Sequence, residues 1–232
     1  MGRKVHPTIH RSPILLPWTS RWVAVKDYAS RLEQDIKIRE YLENTFKDAH
    51  IDSIFIERNA QNLSITVFAG KPGVIIGRGG QGLDFLRKHI ERTFLRMSKK
   101  VKLQIQEVQN PAVSASITAQ SVVKDTENRM PYRRVIKQHI EKVMKGGAKG
   151  VKIGMSGRLN GVEISRSEML SAGKIPLITL RSNVDYACKR AQTIYGVIGV
   201  KVWVYHGESF EPIDKLQHID DSPKKSRASH AS

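Results

Sequence analysis

Apolar positions change their spacing several times along the chain, and each change marks an element. From Asp27 to about Ala49 the residues Ile36, Ile38, Tyr41, Leu42 and Phe46 supply one apolar face, which predicts a helix. Two strands follow, Ser53 to Glu57 and Leu63 to Ala69. In the second, Leu63, Ile65 and Val67 alternate with Ser64, Thr66 and Phe68. The polar Asn59-Ala60-Gln61-Asn62 between them predicts a hairpin. After a glycine-dense stretch, Leu83, Leu86, Ile90, Phe94 and Met97 recur at helical spacing, so a helix is expected from Leu83 to Met97. Val101 to Val108 alternates as a strand, and Asn110-Pro111 opens a further helix to about Asn128.

Met130-Pro131 interrupts this order and is the expected domain boundary. Beyond it, Tyr132, Val135, Ile136, Ile140, Val143 and Met144 form the apolar stripe of a helix that ends at Gly146-Gly147. The rest is strand-like: Val151 to Ser156, Gly161 to Leu170, Ile175 to Arg181 and Val200 to His206, with a short helix near Tyr186 to Ala191. The pattern thus divides the chain into a Pro-punctuated basic arm (1–17), a first domain (18–129), a second domain (130–210) and a polar tail (211–232) expected to be flexible. The fold class is α+β, the second domain carrying a mostly antiparallel sheet.

Charge narrows the partner. Thirty-nine Lys and Arg against 22 Asp and Glu give a formal net charge of +17. Such an excess opposes compaction and calls for a polyanion, nucleic acid before an anionic membrane. No stretch has the roughly 20 apolar residues of a spanning helix. A single cysteine, Cys188, excludes an internal disulfide framework and fits a reducing compartment. Cys188 itself reads as a small buried residue. The eight histidines show no metal-ligand spacing, and no nucleophile–base pair is identifiable, so neither an enzyme nor a cofactor is expected.

The glycine stretch carries the chemistry. In Gly77-Arg78-Gly79-Gly80, preceded by Lys71 and the apolar Val74-Ile75-Ile76, bare backbone can approach a sugar–phosphate chain because glycine lacks a Cβ. The helix that follows offers its unpaired N–H groups, and Arg78 adds a cation. This is the chemistry of the KH module, which clamps single-stranded nucleic acid. Gly77, Gly79 and Gly82 also satisfy the dinucleotide-binding G-x-G-x-x-G. That fingerprint needs a buried strand directly before it and an acid about 20 residues on. Here Lys71-Pro72-Gly73 leaves no room for the strand, and Lys102 stands where the acid is wanted. A glycine-rich turn without a ligand is the remaining alternative; the charge favours nucleic acid.

Four further strings extend the picture: Met1-Gly2-Arg3-Lys4-Val5-His6-Pro7, Gly147-Ala148-Lys149-Gly150, Ser156-Gly157-Arg158-Leu159-Asn160-Gly161, and Tyr195-Gly196-Val197-Ile198-Gly199-Val200-Lys201-Val202-Trp203. In this order, from the first residue to about Phe210, they resemble the bacterial type of the small-subunit ribosomal protein three family. The resemblance implies a type II KH domain followed by an α/β domain peculiar to that family. It implies a place on the head of the small subunit of a cytoplasmic bacterial ribosome, against rRNA and beside the channel by which mRNA enters. Small-subunit proteins ten, fourteen, two, five and four are the implied neighbours, with no membrane and no homo-oligomer. Tyr132-Arg133-Arg134-Val135-Ile136-Lys137 matches the family segment whose cations line that channel and support mRNA unwinding, so Arg133, Arg134 and Lys137 are expected RNA contacts. Four apart, Arg133 and Lys137 share a helix face, with Arg134 a quarter-turn away. Arg3, Lys4, Arg158 and Arg166 are further candidates. One departure stands out: the family usually carries two basic residues inside the glycine loop, whereas here Arg78 is followed by Gly79. The alternative function is a free-standing KH-type regulator that binds short single strands.

Overall fold

The computed structural model describes residues 5–24, 26–59, 62–95 and 100–216. The elements are α1 (Pro7–Arg11), β1 (Ser20–Arg21), α2 (Tyr28–Thr45), β2 (Ile51–Arg58), β3 (Asn62–Ala69), α3 (Pro72–Ile76), α4 (Gln81–Thr93), β4 (Lys100–Glu107), α5 (Ala115–Glu127), α6 (Tyr132–Lys145), β5 (Gly150–Gly157), β6 (Arg166–Gly173), β7 (Ser182–Thr193) and β8 (Gly196–Glu208). Two four-stranded sheets divide the strands in sequence order, β1-β2-β3-β4 and β6-β5-β8-β7.

In the first sheet β2 and β3 form the expected antiparallel hairpin, with Ile54 opposite Val67 and Ile56 opposite Ile65. β4 then pairs parallel to β3. A parallel partner requires a crossover, which here is the glycine stretch with α3 and α4. Ile38 and Leu42 of α2, Ile75 of α3, and Leu86 and Ile90 of α4 close over Ile54, Ile56, Leu63, Ile65 and Val67 in one core. Ile36, expected on the buried face of α2, is exposed; Asp35 is buried in its place. Its carboxylate pairs with Arg58 from β2 and accepts from Trp22 Nε1 at 2.7 Å. Both charged side chains are 2% exposed, so each compensates the other's loss of water.

The second sheet is antiparallel throughout. Its helical layer is α5 and α6, whose Val122, Ala119, Val135, Ile136 and Val143 meet Val151, Ile153, Val200, Val202 and Val204. The division between cores therefore differs from the break at Met130-Pro131. α5 lies ahead of that break, yet it packs on β7 and β8. It also begins later than Asn110-Pro111, at Ala115, where Ser114 caps it by accepting from the Ile117 amide.

Four expectations in this half are corrected. Ile175 to Arg181 is a loop rather than a strand, and Tyr186 to Ala191 is the middle of the 12-residue strand β7 rather than a helix. The strand placed at Gly161 to Leu170 begins at Arg166 and runs to Gly173. Cys188 alternates outward on β7 and is exposed, not buried.

Residues 5–17 do not extend away from the protein. Arg11 is fully buried against the 175–182 loop, where its guanidinium donates to the carbonyls of Ser182 (2.6 Å), Pro176 (3.0 Å), Leu177 (3.1 Å) and Thr179 (3.0 Å). His6 packs edge-on to Tyr186 of β7. The two halves also meet at Asp52 of β2, which accepts from Ser114 Oγ and from Lys215 Nζ at 2.6 Å. Burial pushes the Asp52 carboxyl up, but the Lys215 charge and the hydrogen bonds from Lys215, Ser114 and Ser53 hold it below its ordinary value. Of the tail assigned as flexible, residues 211–216 carry such contacts, and 217–232 lie outside the described residues.

Candidate nucleic-acid interface

Two surfaces carry the predicted RNA contacts, and they sit on different cores. The first is the glycine loop. Pro72 starts α3, which ends at Gly77 with φ +69°; Gly79 and Gly80 follow at φ +61° and +80°. Three left-handed residues in four is a path that side chains with a Cβ adopt only with strain, which is why glycine holds these positions. No atom lies within 4 Å of where a Cβ would stand on Gly79 or Gly80, so that face is open. Gly82 differs: a Cβ there would lie 2.8 Å from the Ile75 carbonyl oxygen, so its absence lets α4 start hard against α3.

Lys71 and Arg78 are exposed on either side of this backbone. Val74-Ile75-Ile76, expected as a groove wall, is helical: Ile75 points into the core, while Val74 is half exposed. Gly80 is the N-cap of α4, and the amides of its first turn face the loop. The surface offers backbone N–H groups, one helix dipole and two mobile cations.

The second surface is the outer face of α6, Tyr132–Lys145, whose bounds agree with the sequence pattern. Val135, Ile136, His139 and Val143 face the core, which leaves Arg133, Arg134 and Lys137 outward. With Gln138 and Glu141 they line an open groove of about 530 Å3. Among the described residues no side chain pairs with those of Arg134 and Lys137. Arg133 is not free, contrary to expectation. Its Nη2 stands 3.0 Å from Oε1 of Glu168 on β6, and its Nε 3.3 Å from Oε2. The hydrogen bond to Glu168 and that residue's charge raise the Arg133 guanidinium above its ordinary value, and the same contact, with one from Tyr132, lowers Glu168.

The lesser candidates separate. Arg166 is exposed on β6, two residues from Glu168. Arg158 is held by the protein itself: Nε donates to Val162 O at 3.0 Å and Nη1 to Tyr195 O at 3.2 Å, so it ties a loop to the β7–β8 turn. Arg3 and Lys4 lie outside the described residues. Trp203 of β8 packs under Lys152, 5.6 Å from its ring centre, and against Tyr186.

Sequence reasoning missed Glu168 and the pair His139–Asp125 (2.8 Å), which locks α6 to α5. Burial lowers the His139 imidazole below its ordinary value, against the opposing pull of Asp125. His139 falls within the helical spacing of the buried stripe, and that was its only signal. Among the described residues there is no cluster of three or more potential metal ligands, and no helix is long and apolar enough to cross a membrane.

Comparison with known proteins adds the family. Residues 37–113 match the KH domain, and residues 122–204 match the C-terminal domain of ribosomal protein S3. The small ribosomal subunit protein uS3 of an Exiguobacterium strain is 46% identical over 208 residues, 90% of this chain and 94% of the relative. That of Polaromonas naphthalenivorans is 42% identical over 232 residues, covering 98% and 78%. The uS3 protein of Ligilactobacillus salivarius is 42% identical over 90% of this chain and 94% of its own length.

Proposed function

The chain belongs to the small ribosomal subunit protein uS3 family, and is thus a structural RNA-binding protein of translation rather than an enzyme; from that premise we propose that its α6 face guides mRNA. In this proposal the chain binds rRNA in the head of the small subunit, in the cytoplasm, and α6 borders the channel by which mRNA enters. Small-subunit proteins ten, fourteen, two, five and four are its proposed neighbours.

The observation that carries the reading is the placement of Arg134 and Lys137 beside Arg133 on the outer face of a helix whose other face is core. Cations on a rigid, half-buried helix meet phosphates without ordering of the backbone that carries them, and phosphate contacts set position without regard to base sequence. That is what a surface needs when every message must pass it. Single strands held there also bias a hairpin towards opening, because the paired form cannot follow the same track.

The test replaces Arg133, Arg134 and Lys137 together by alanine in assembled ribosomes. Translation through mRNA hairpins should slow more than translation of unstructured mRNA. Equal slowing on both templates would remove the unwinding role. If the unaltered chain were recovered free of ribosomal particles at ordinary salt, the placement itself would fall.

A further inference from the structure

The three cations of the α6 groove are not equivalent. Arg134 and Lys137 face solvent without a side-chain partner among the described residues, whereas Arg133 uses its Nε–Nη2 edge on Glu168. Glu168 is fixed by a third contact, since the Tyr132 hydroxyl donates to the same Oε1 at 2.7 Å. The Tyr132 ring also lies under the Arg133 guanidinium, 5.8 Å from ring centre to Cζ. Tyr132 and Arg133 both come from the first turn of α6, and Glu168 comes from β6, so the fold itself brings carboxylate and cation together.

A carboxylate presents to guanidinium the same two-oxygen edge that a phosphate does. A phosphate arriving in the groove therefore meets one arginine whose Nε–Nη2 edge is already taken. We propose that Glu168 is a positioning residue that competes with RNA phosphate for Arg133, so that the groove holds a strand through two standing cations and one conditional cation. This rests on the reading of α6 as an RNA face.

The consequence is a deliberately weakened grip. Each nucleotide step must break phosphate contacts and remake them one position on. When Arg133 lets go of a phosphate, Glu168 takes up the Nε–Nη2 donors at once, so release does not leave that edge unpaired. A surface that only attracted phosphate would bind more tightly and pass a strand more slowly. Arg166, exposed two residues from Glu168 on β6, adds a further cation near the carboxylate.

The experiment measures binding of a short fluorescent oligouridylate to the purified full-length chain across a salt series. Glu168→Gln keeps the side chain's size and removes its charge. It should tighten binding about two- to five-fold at low salt, the range expected for freeing one exposed ion pair. It should also steepen the log–log salt dependence by about 0.7, the signature of one more phosphate contact on a single strand. Both changes should vanish when Glu168→Gln is made on an Arg133→Ala background. Glu163→Gln, which removes an exposed carboxylate from the loop before β6, should alter neither, and thermal midpoints report that folding is intact throughout. If Arg134→Ala and Lys137→Ala weaken binding but Glu168→Gln leaves affinity and slope unchanged, or weakens binding, the competitor role is overturned and the RNA face stands. If Arg134→Ala and Lys137→Ala change nothing either, the RNA face and the competitor fall together.

Discussion

The glycine loop and the α6 groove approach the same polyanion by opposite means. The loop is backbone: three glycines at positive φ and the first-turn amides of α4, flanked by the exposed Lys71 and Arg78. The groove is side chains: Arg133, Arg134 and Lys137 on the outer face of one helix. A backbone surface recognises shape at short range and responds little to salt. A side-chain surface acts at the range of its charges and loses force as counterions compete. One chain therefore carries a contact suited to a fixed fold of RNA and another suited to RNA that moves.

The largest expected effect separates the two surfaces by removing the platform of one. Asp35→Ala leaves Arg58 buried and unpaired beneath α2, which costs about 3–5 kcal/mol in comparable cases. Chemical denaturation should show the glycine-loop half unfolding early while the α5–α6 half keeps its own transition; a single transition shifted as a whole would refute the independence of the two cores, and an unchanged one the cost assigned to the pair.

Acid acts on the opposite side. His139 has a folded-state pKa below its unfolded one, so the unfolded chain binds more protons between the two values and stability falls as pH falls through that window. His50 is displaced in the same direction, with burial the largest cause and the Lys71 and Lys124 charges adding to it. Taking the pH from 7 down through the ordinary histidine range near 6.5 should lower the thermal midpoint. His139→Gln should remove part of that slope. The α5–α6 interface is the part that should loosen, and amide exchange in α6 would report it.

The smallest effect sharpens the contrast at the surfaces themselves. Arg134→Ala should flatten the salt dependence of oligouridylate binding by about 0.7, whereas Arg78→Ala should reduce affinity only slightly because the loop's contacts are mainly backbone. An equal loss in both variants would mean that the loop, too, works through its cation.

What could be foreseen follows from how local each signal is. The β2–β3 hairpin, the glycine loop and α6 were legible because alternation, φ-demanding glycines and a helical stripe are contained in short windows. β7 was misread because Asp185, Ala187, Lys189 and Arg190 favour no strand by themselves; the strand exists because β8 pairs with it along its whole length. The opposite error occurred at Ile175 to Arg181, where alternating apolar residues suggest a strand. Its carbonyls turn instead towards Arg11, far away in sequence. Within the site, the cations of α6 were found and the carboxylate restraining one of them was not, since Glu168 meets Arg133 only once β6 has docked beside α6.

The Arg11 clasp also sets an order of events at synthesis. Arg11 leaves the exit tunnel well before it can find its place, because Ser182, which receives its guanidinium, lies 171 residues further along. At about 5–20 residues per second that separation corresponds to roughly 10–35 s, long enough for the glycine-loop half to fold alone. Until then Arg11 is a cation without its clasp on a nascent chain, available to whatever polyanion is nearby. Its closure onto the 175–182 loop marks the moment when the second half is complete.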